Sequence, residues 1–259
     1  MQDLIVTLVQ THLVWEDIDA NLELMDNWVD GITVPTDLII LPEMFSTGFS
    51  MNARMLAEGM SGKAVTWMRH KATEKNAVIT GSVMVTDGRR FFNRLVWARP
   101  NGDPITYDKR HLFRYAGEEK IFAPGGHRLT MEIRGWRIRP FICYDLRFPI
   151  WVRNLDPTYD LAVFVANWPA RRADHWRTLL RARAIENQAF VAAANRVGTD
   201  GNGFEYSGHS ALIDPMGRVL FEEEDAACTH TLQLKYEVLA NYRSRFPAWM
   251  DADGDLVKG

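Results

Sequence analysis

Short apolar runs alternate along the chain with segments in which apolar residues recur at helical spacing. Residues 4–10 form the first run and residues 37–43 the second, and neither alternates between apolar and polar positions. An unbroken run of this length is typical of a strand that is covered on both faces, so both are predicted as buried strands. Between them, the spacing predicts a helix that Asp17 caps and that ends near Gly31.

The same alternation continues to residue 213. Further strands are predicted at residues 77–85, 91–98, 104–107, 129–133, 136–143, 161–166, 190–194 and 210–213, and further helices at 61–74 and 173–187. A β-α-β-α-β order followed by hairpins predicts a layered α/β fold with a mixed sheet. No internal repeat or linker divides the chain, so we expect one domain over residues 1–259. In the last of these helices, the charged residues Arg181, Arg183 and Glu186 are expected to face solvent.

Composition narrows the class of protein. A hydrophobic content of 47% and a charged content of 24% are those of an ordinary globular protein. The net charge of −3 gives no electrostatic reason to expect nucleic acid or an anionic membrane as a partner. No apolar run reaches the roughly 20 residues of a membrane helix. Two cysteines do not make a disulfide framework and no signal peptide is evident, so a cytoplasmic protein is predicted.

Three predicted strands end next to a reactive side chain. Glu43 follows the strand of residues 37–43, Lys109 follows the strand of residues 104–107, and Cys143 ends the strand of residues 136–143. Ligands of open α/β sheets bind beyond the carboxyl ends of strands, where these side chains are expected.

Thiol, carboxylate and ammonium together supply the parts of a hydrolytic acyl transfer. Cys143 is the candidate nucleophile, and Glu43 is a candidate base for its proton. Lys109 can stabilise a thiolate and an oxyanion, and the backbone N–H of Tyr144 is a candidate second oxyanion donor. No zinc-ligand spacing, phosphate-binding glycine loop or Gly-x-Ser-x-Gly motif is present, so no metal or organic cofactor is expected.

Each residue also has a plainer interpretation. Free cysteines are most often buried and inert, and most glutamates are simply exposed to solvent. Residues 114–127, which are rich in glycine and proline, are predicted as a loop that either borders the site or is an ordinary surface loop. Cys228 matches no motif and is expected to be an unreactive thiol.

Five segments in order resemble the nitrilase, or carbon–nitrogen hydrolase, superfamily, and within it the bacterial ω-amidases. The segments are Leu-Pro-Glu43-Met-Phe, Tyr-Asp-Lys109-Arg-His-Leu-Phe, Cys143-Tyr-Asp-Leu-Arg-Phe-Pro, Val-Ala-Asn167-Trp-Pro and Arg-Ala-Arg183-Ala-Ile-Glu-Asn-Gln. The resemblance implies hydrolysis of α-keto-acid amides such as α-ketoglutaramate, with ammonia as a product.

The resemblance also implies residue roles. Glu43 becomes the general base, Lys109 the oxyanion stabiliser and Cys143 the nucleophile. A second active-site glutamate that positions Lys109 is implied at Glu118, although the doublet leaves Glu119 as an alternative.

On the scale of the whole molecule, the resemblance implies a four-layer α-β-β-α sandwich that forms a homodimer. The core of the domain is expected over residues 4–233. Dimer contacts are expected from the helix of residues 173–187 and from the C-terminal tail, residues 234–259.

Arg147 is the candidate for substrate choice. A keto-acid amide carries a carboxylate far from its scissile amide, and a planar guanidinium four residues after the nucleophile suits such a group. The resemblance places an arginine at this position. The alternative is that Arg147 pairs with Asp145 or another acid and braces the turn.

Other functions remain open on the sequence alone. A carbamoylase or a nitrilase proper shares the same three reactive side chains. A binding protein that had lost the chemistry would not need all three, and a thiol redox protein would need a resolving cysteine near Cys143, which is absent from the sequence around it.

Overall fold

Two β-sheets form the centre of the protein, whose computed structural model describes residues 2–254. The strands are β1 (Leu4–Gln10), β2 (Leu38–Ile40), β3 (Val78–Thr86), β4 (Phe91–Ala98), β5 (Ile105–Asp108), β6 (Met131–Ile133), β7 (Trp136–Ile142), β8 (Leu161–Val165), β9 (Phe190–Ala194), β10 (Val197–Thr199), β11 (Glu205–Ile213), β12 (Val219–Glu224) and β13 (Cys228–Leu234). The predicted domain of residues 1–259 includes Met1 and residues 255–259, which lie outside the described range.

Helices connect and cover the sheets. They are α1 (Ile18–Asp30), α2 (Ala53–Leu56), α3 (Lys63–Lys75), α4 (Glu118–Ile121), α5 (Pro149–Val152), α6 (Ala173–Asn187) and α7 (Tyr236–Arg245). Helix α1 begins where the sequence predicts, because the Asp17 carboxylate accepts a hydrogen bond from the backbone N–H of Ala20.

The first sheet has the strand order β13-β1-β2-β3-β4-β5. Strands β1, β2 and β3 are parallel, and the remaining pairs are antiparallel. The second sheet has the order β10-β11-β9-β8-β7-β6, with β12 paired to β11. Its centre, β7-β8-β9, is parallel and its outer pairs are antiparallel. Both sheets are therefore mixed, as predicted.

The sheets pack face to face, and helices cover their outer faces. On β1 and β2, Leu8 and Ile40 belong to the core that both sheets share, and Ile39 belongs to the core under α1 and α3. Helix α6 packs Trp176 and Leu180 against the second sheet. Apolar side chains on both faces explain the unbroken apolar runs of the central strands. The layers are helix, sheet, sheet and helix, which confirms the predicted four-layer sandwich.

Several local predictions were incomplete. Strands β10, β12 and β13 were not predicted, because they are edge or neighbouring strands in which polar residues interrupt the apolar pattern. The segment of residues 114–127, predicted as a loop, contains a 3-10 turn at Arg114–Ala116 and helix α4. The Arg183 side chain, predicted to be solvated, is 5% exposed, so that prediction was wrong.

Gly125 fixes the path of the segment that carries α4. Its backbone N–H donates to the carbonyl of Lys109 at 2.9 Å, so the segment lies directly against the end of β5. A Cβ at this position would stand 2.1 Å from the carbonyl oxygen of Asp108. Only glycine allows this approach without movement of the backbone.

We expect Gly125→Ala to lower the free energy of unfolding by roughly 1–3 kcal/mol, as overpacking does in a rigid environment. Gly126→Ala is the matched control, because a Cβ there meets no atom within 4 Å. The free energies of unfolding of wild type and both variants are measured by urea denaturation. Equal stability of the two variants would contradict the close approach.

Candidate active site

Strand ends from both sheets meet at the candidate site. Glu43 follows β2 and Lys109 follows β5 in the first sheet, whereas Cys143 directly follows β7 in the second. All three side chains are almost fully buried, with exposures of 0%, 1% and 9%. The structure brings these predicted residues together, and places Glu118 of α4 beside them.

Lys109 lies between two carboxylates. Its Nζ is 2.8 Å from Oε1 of Glu43, and 3.0 and 2.9 Å from the two carboxylate oxygens of Glu118. The backbone N–H of Phe113 also donates to Glu118, at 2.6 Å. The neighbouring Glu119 lies 4.0 Å from the exposed Arg114. Of the doublet, Glu118 is the residue in contact with Lys109.

Two asparagines that the sequence analysis did not assign a role complete this network. Asn93 Nδ2 donates to Glu43 at 2.8 Å and to Glu118 at 3.1 Å, so one amide bridges the two carboxylates. The backbone N–H of Asn167, just after β8, donates to the other oxygen of Glu43 at 2.8 Å. Asn167 belongs to the Val-Ala-Asn167-Trp-Pro segment, so the sequence could have pointed to it. Asn93 lies inside strand β4, where no motif marks it.

Burial and pairing set the charges of the network. Burial alone lowers the pKa of Lys109, but Glu118 and Glu43 outweigh it and hold that pKa above its ordinary value, so the ammonium stays charged. Burial raises the pKa of Glu118, Lys109 lowers it and Glu43 raises it again, with a net increase. Lys109 therefore cannot accept the thiol proton, which leaves a carboxylate for that task.

Cys143 sits at a strained position of the backbone. Its φ of +41° lies in the left-handed region, which a residue with a side chain seldom adopts, and it begins a 3-10 turn over Cys143–Arg147. Burial raises the pKa of its thiol well above the ordinary value. Glu43 raises that pKa further by its charge and by a hydrogen bond, while Lys109 opposes both. The net effect favours the protonated form of the Cys143 thiol.

Asp145 holds the turn that presents the thiol. Its carboxylate accepts hydrogen bonds from the backbone N–H of Ile142 at 3.1 Å, from the Tyr107 hydroxyl at 2.6 Å and from the backbone N–H of His111 at 3.0 Å. Tyr107 and His111 flank Lys109 in the chain. The carboxylate thus ties the nucleophile turn to the segment that carries the lysine.

Arg183 supports the same turn from α6. Its Nε and Nη2 donate to the carbonyl oxygen of Leu146 at 3.0 and 2.7 Å, and its Nη1 pairs with Glu186. A buried guanidinium persists because these partners satisfy it. This explains why the residue is buried and not solvated.

Arg147 does not pair with Asp145. Its Nη2 is 3.0 Å from Nδ1 of His175, and its guanidinium lies 4.7 Å from the ring centroid of Trp168. The structure gives Arg147 no acidic partner within residues 2–254. The alternative in which an acid and Arg147 brace the turn was wrong.

A cavity of about 470 Å³ opens above the buried cluster. The residues that line it include four already discussed, Cys143, Lys109, Tyr144 and Arg147. Further lining residues are Trp15, Glu16, Phe49, Ser50, Met51, Asn52, Phe113, Tyr115, Asn167, Trp168, Arg171, Arg172, Asp200, Asn202, Phe204 and Tyr206. Three arginines at a cavity with a thiol in its wall favour an anionic substrate.

Three further features concern the second cysteine, metal binding and membrane spans. Cys228 is a partly exposed free thiol in β13, and burial raises its pKa to about 11. Residues 2–254 contain no group of three or more His, Cys, Asp and Glu side chains placed to hold a metal ion. Within the same range, every helix is too short or too polar to cross a membrane.

The chain belongs to the carbon–nitrogen hydrolase family, whose sequence model matches residues 5–242. The resemblance to the nitrilase superfamily is thereby confirmed, and the protein is a carbon–nitrogen hydrolase. It is 48% identical to the ω-amidase YafV of Escherichia coli (strain K12) over 98% of both chains. It is 32% identical to the 2-oxoglutaramate amidase of Bacillus subtilis (strain 168), over 97% of this chain and 98% of that one.

A solved structure shows the same fold. XC1258 from Xanthomonas campestris, a CN-hydrolase superfamily protein with an arsenic adduct in its active site, superposes with a TM-score of 0.95. The two proteins are 46% identical, and the match covers 98% of each chain.

We expect Glu43→Gln to lower the pKa of the Cys143 thiol, since a negative charge that raises it is removed while the opposing Lys109 remains. The thiolate should then form at lower pH than in wild type. Ultraviolet absorbance of the thiolate against pH, recorded in a Cys228→Ala background, makes the measurement. Glu119→Gln is the matched control and should leave the titration unchanged. A Glu43→Gln titration that coincides with wild type would contradict the charge balance.

Proposed function

We propose that the protein is an ω-amidase that hydrolyses the terminal amide of α-keto-acid amides such as α-ketoglutaramate. The observation that carries the proposal is the buried cluster of Cys143, Glu43, Lys109 and Glu118 at a cavity lined by three arginines. The relatives named ω-amidase and 2-oxoglutaramate amidase support the same reaction and the same substrate class.

In the proposed acylation step, the Cys143 sulfur attacks the amide carbon as Glu43 takes the thiol proton. The carbonyl oxygen becomes an oxyanion, which the Lys109 ammonium and the backbone N–H of Tyr144 stabilise. Glu43 then delivers the proton to the amide nitrogen. The carbon–nitrogen bond breaks, ammonia leaves, and a thioester to Cys143 remains.

In the proposed deacylation step, water takes the place of ammonia. Glu43 removes a proton from the water as its oxygen attacks the thioester carbon, and the same donors stabilise the second oxyanion. The carbon–sulfur bond breaks, the proton returns to the thiol, and the acid is released. Glu118 positions Lys109 in both steps, because it holds the ammonium through both carboxylate oxygens.

Arg147 is proposed to bind the substrate carboxylate. It lines the cavity, lacks an acidic partner in the described chain and is aligned by His175 and Trp168. A guanidinium in this setting can form a charge-assisted pair with an anionic ligand.

We expect Cys143→Ala to abolish ammonia release from α-ketoglutaramate with an unchanged fold, because no acyl-enzyme can form. Cys228→Ala is the control and should keep wild-type turnover. Ammonia release is measured with α-ketoglutaramate, glutamine, a neutral amide and a nitrile. Turnover by Cys143→Ala would contradict the nucleophile. A clear preference of wild type for another substrate would favour a different carbon–nitrogen hydrolase activity.

The active form is proposed to be a cytoplasmic homodimer that needs no metal or organic cofactor. A reducing compartment suits two free thiols. Dimerisation is supported by exposed apolar residues at the end of α6 and in the tail, Ile185, Phe246 and Met250. Gln188 ties these regions together, since its side chain bonds the backbone of Phe246 at 2.7 Å and of Trp249 at 3.2 Å.

Light scattering should therefore report about twice the 29.7 kDa mass of the chain. Phe246→Glu places a charge among these exposed apolar residues, and it should shift the measured mass toward that of the monomer. Met55→Glu is the control, because Met55 is an exposed apolar residue on α2. Wild type at the mass of one chain would contradict the dimer.

A further inference from the structure

Arg172 is a cation at the cavity to which the sequence analysis assigned no role. It ends the 3-10 turn Ala170–Arg172, which follows β8, and it lines the cavity together with Arg147 and Arg171. Within residues 2–254, the Arg172 guanidinium makes neither an ion pair nor a hydrogen bond. Its Cζ lies 5.3 Å from the ring centroid of Phe113. Its positive charge is therefore available to a ligand.

Two further arginines, Arg147 and Arg171, line the same cavity as Arg172. Burial lowers the pKa of Arg172, and the adjacent Arg171 and Arg147 lower it further, whereas a charge on Cys143 would raise it. Arg172, Arg147 and Cys143 all line one cavity of about 470 Å³. Three guanidinium groups close together repel one another, and a bound anion relieves that repulsion.

The backbone of Arg172 is fixed while its charged end stays free. The indole N–H of Trp168 donates to the carbonyl oxygen of Arg172 at 2.7 Å. Arg147 is already engaged by His175, and the exposed Arg171 lies between the rings of Tyr115 and Phe204, at 5.4 and 4.9 Å. Of the three guanidinium groups, that of Arg172 makes the fewest of these contacts.

Within residues 2–254, the two acidic residues of the cavity wall, Glu16 and Asp200, form no ion pair with these arginines. Glu16 accepts hydrogen bonds from the Ser50 hydroxyl and the Asn52 amide. Asp200 accepts hydrogen bonds from the Tyr206 hydroxyl and from two backbone N–H groups of its own loop. Both carboxylates are occupied by neutral donors of the wall.

The proposed substrate places an anion within this field. In α-ketoglutaramate, four carbon–carbon bonds of about 1.5 Å separate the amide carbon from the carboxylate carbon, which is roughly 5 Å in an extended chain. With the amide carbon at Cys143, the carboxylate must lie close to the nucleophile, where the Arg172 charge acts.

We propose that Arg172 is a specificity-determining residue, whose guanidinium binds the substrate carboxylate jointly with Arg147. This inference rests on the proposed function and deepens it. Arg147 supplies an aligned, stacked guanidinium, and Arg172 supplies the free one. A carboxylate has enough lone pairs to accept hydrogen bonds from both.

The test compares Arg172→Met and Arg172→Lys with wild type on two substrates, α-ketoglutaramate and the neutral pentanamide. We expect Arg172→Met to lower kcat/KM for α-ketoglutaramate about 10- to 100-fold, mainly through KM, as the loss of one charge-assisted pair does. Pentanamide should be hydrolysed as by wild type, and Arg172→Lys should recover part of the loss. Arg177→Met is the control, because Arg177 pairs with Glu222 and lies outside the cavity.

Equal losses on both substrates would overturn the proposal, since they would mean that Arg172 only supports the site. An unchanged KM for α-ketoglutaramate would also overturn it, and would leave Arg147 to bind the carboxylate alone.

Binding of glutarate to the inactive Cys143→Ala protein separates this proposal from the proposed function. Calorimetry should show about 10- to 100-fold weaker binding when Arg172→Met is added. If wild type failed to hydrolyse α-ketoglutaramate, the proposed function would fail, and glutarate binding would still decide the role of Arg172.

Discussion

The ion cluster around Lys109 is the constraint on which the rest of the site depends. An ammonium that is 1% exposed has no water to stabilise it, so its charge persists only because Glu43 and Glu118 contact it directly. Two carboxylates against one ammonium leave an excess of negative charge beneath the nucleophile. Together with burial, that excess raises the pKa of the Cys143 thiol and favours its protonated form.

The wall above this cluster carries the opposite charge. Arg147, Arg171 and Arg172 lie at the cavity, while the cluster below combines two carboxylates with one ammonium. An anionic ligand is attracted toward the arginines and repelled from the carboxylates below them. The charge pattern can therefore orient a substrate whose carboxylate and amide are at opposite ends, before any specific hydrogen bond forms.

Much of the fold and part of the site could be predicted from the sequence, for physical reasons. Strands buried on both faces leave an unbroken apolar run, and a charged residue at the end of such a run is conspicuous, which is why Glu43, Lys109 and Cys143 could be found. Strand β13 was missed because its exposed edge leaves polar residues in the pattern. Arg183 and Asn93 were missed because burial of a polar residue depends on partners that are distant in the chain, namely Leu146 for the first and Glu118 for the second. The site geometry is a property of tertiary contacts, and no local pattern encodes it.

Division of the active site between two sheets has a consequence for the whole core. Glu43 and Lys109 follow strands of the first sheet and Cys143 follows a strand of the second, so the distance between the Glu43 carboxylate and the Cys143 thiol depends on how the two layers pack. Core side chains such as Trp97 and Ile138, which do not line the cavity, set how those layers fit together. The catalytic rate of this enzyme therefore depends on the alignment of the two sheets. A core substitution that shifts one sheet relative to the other is expected to slow the reaction even when the stability of the protein is unchanged.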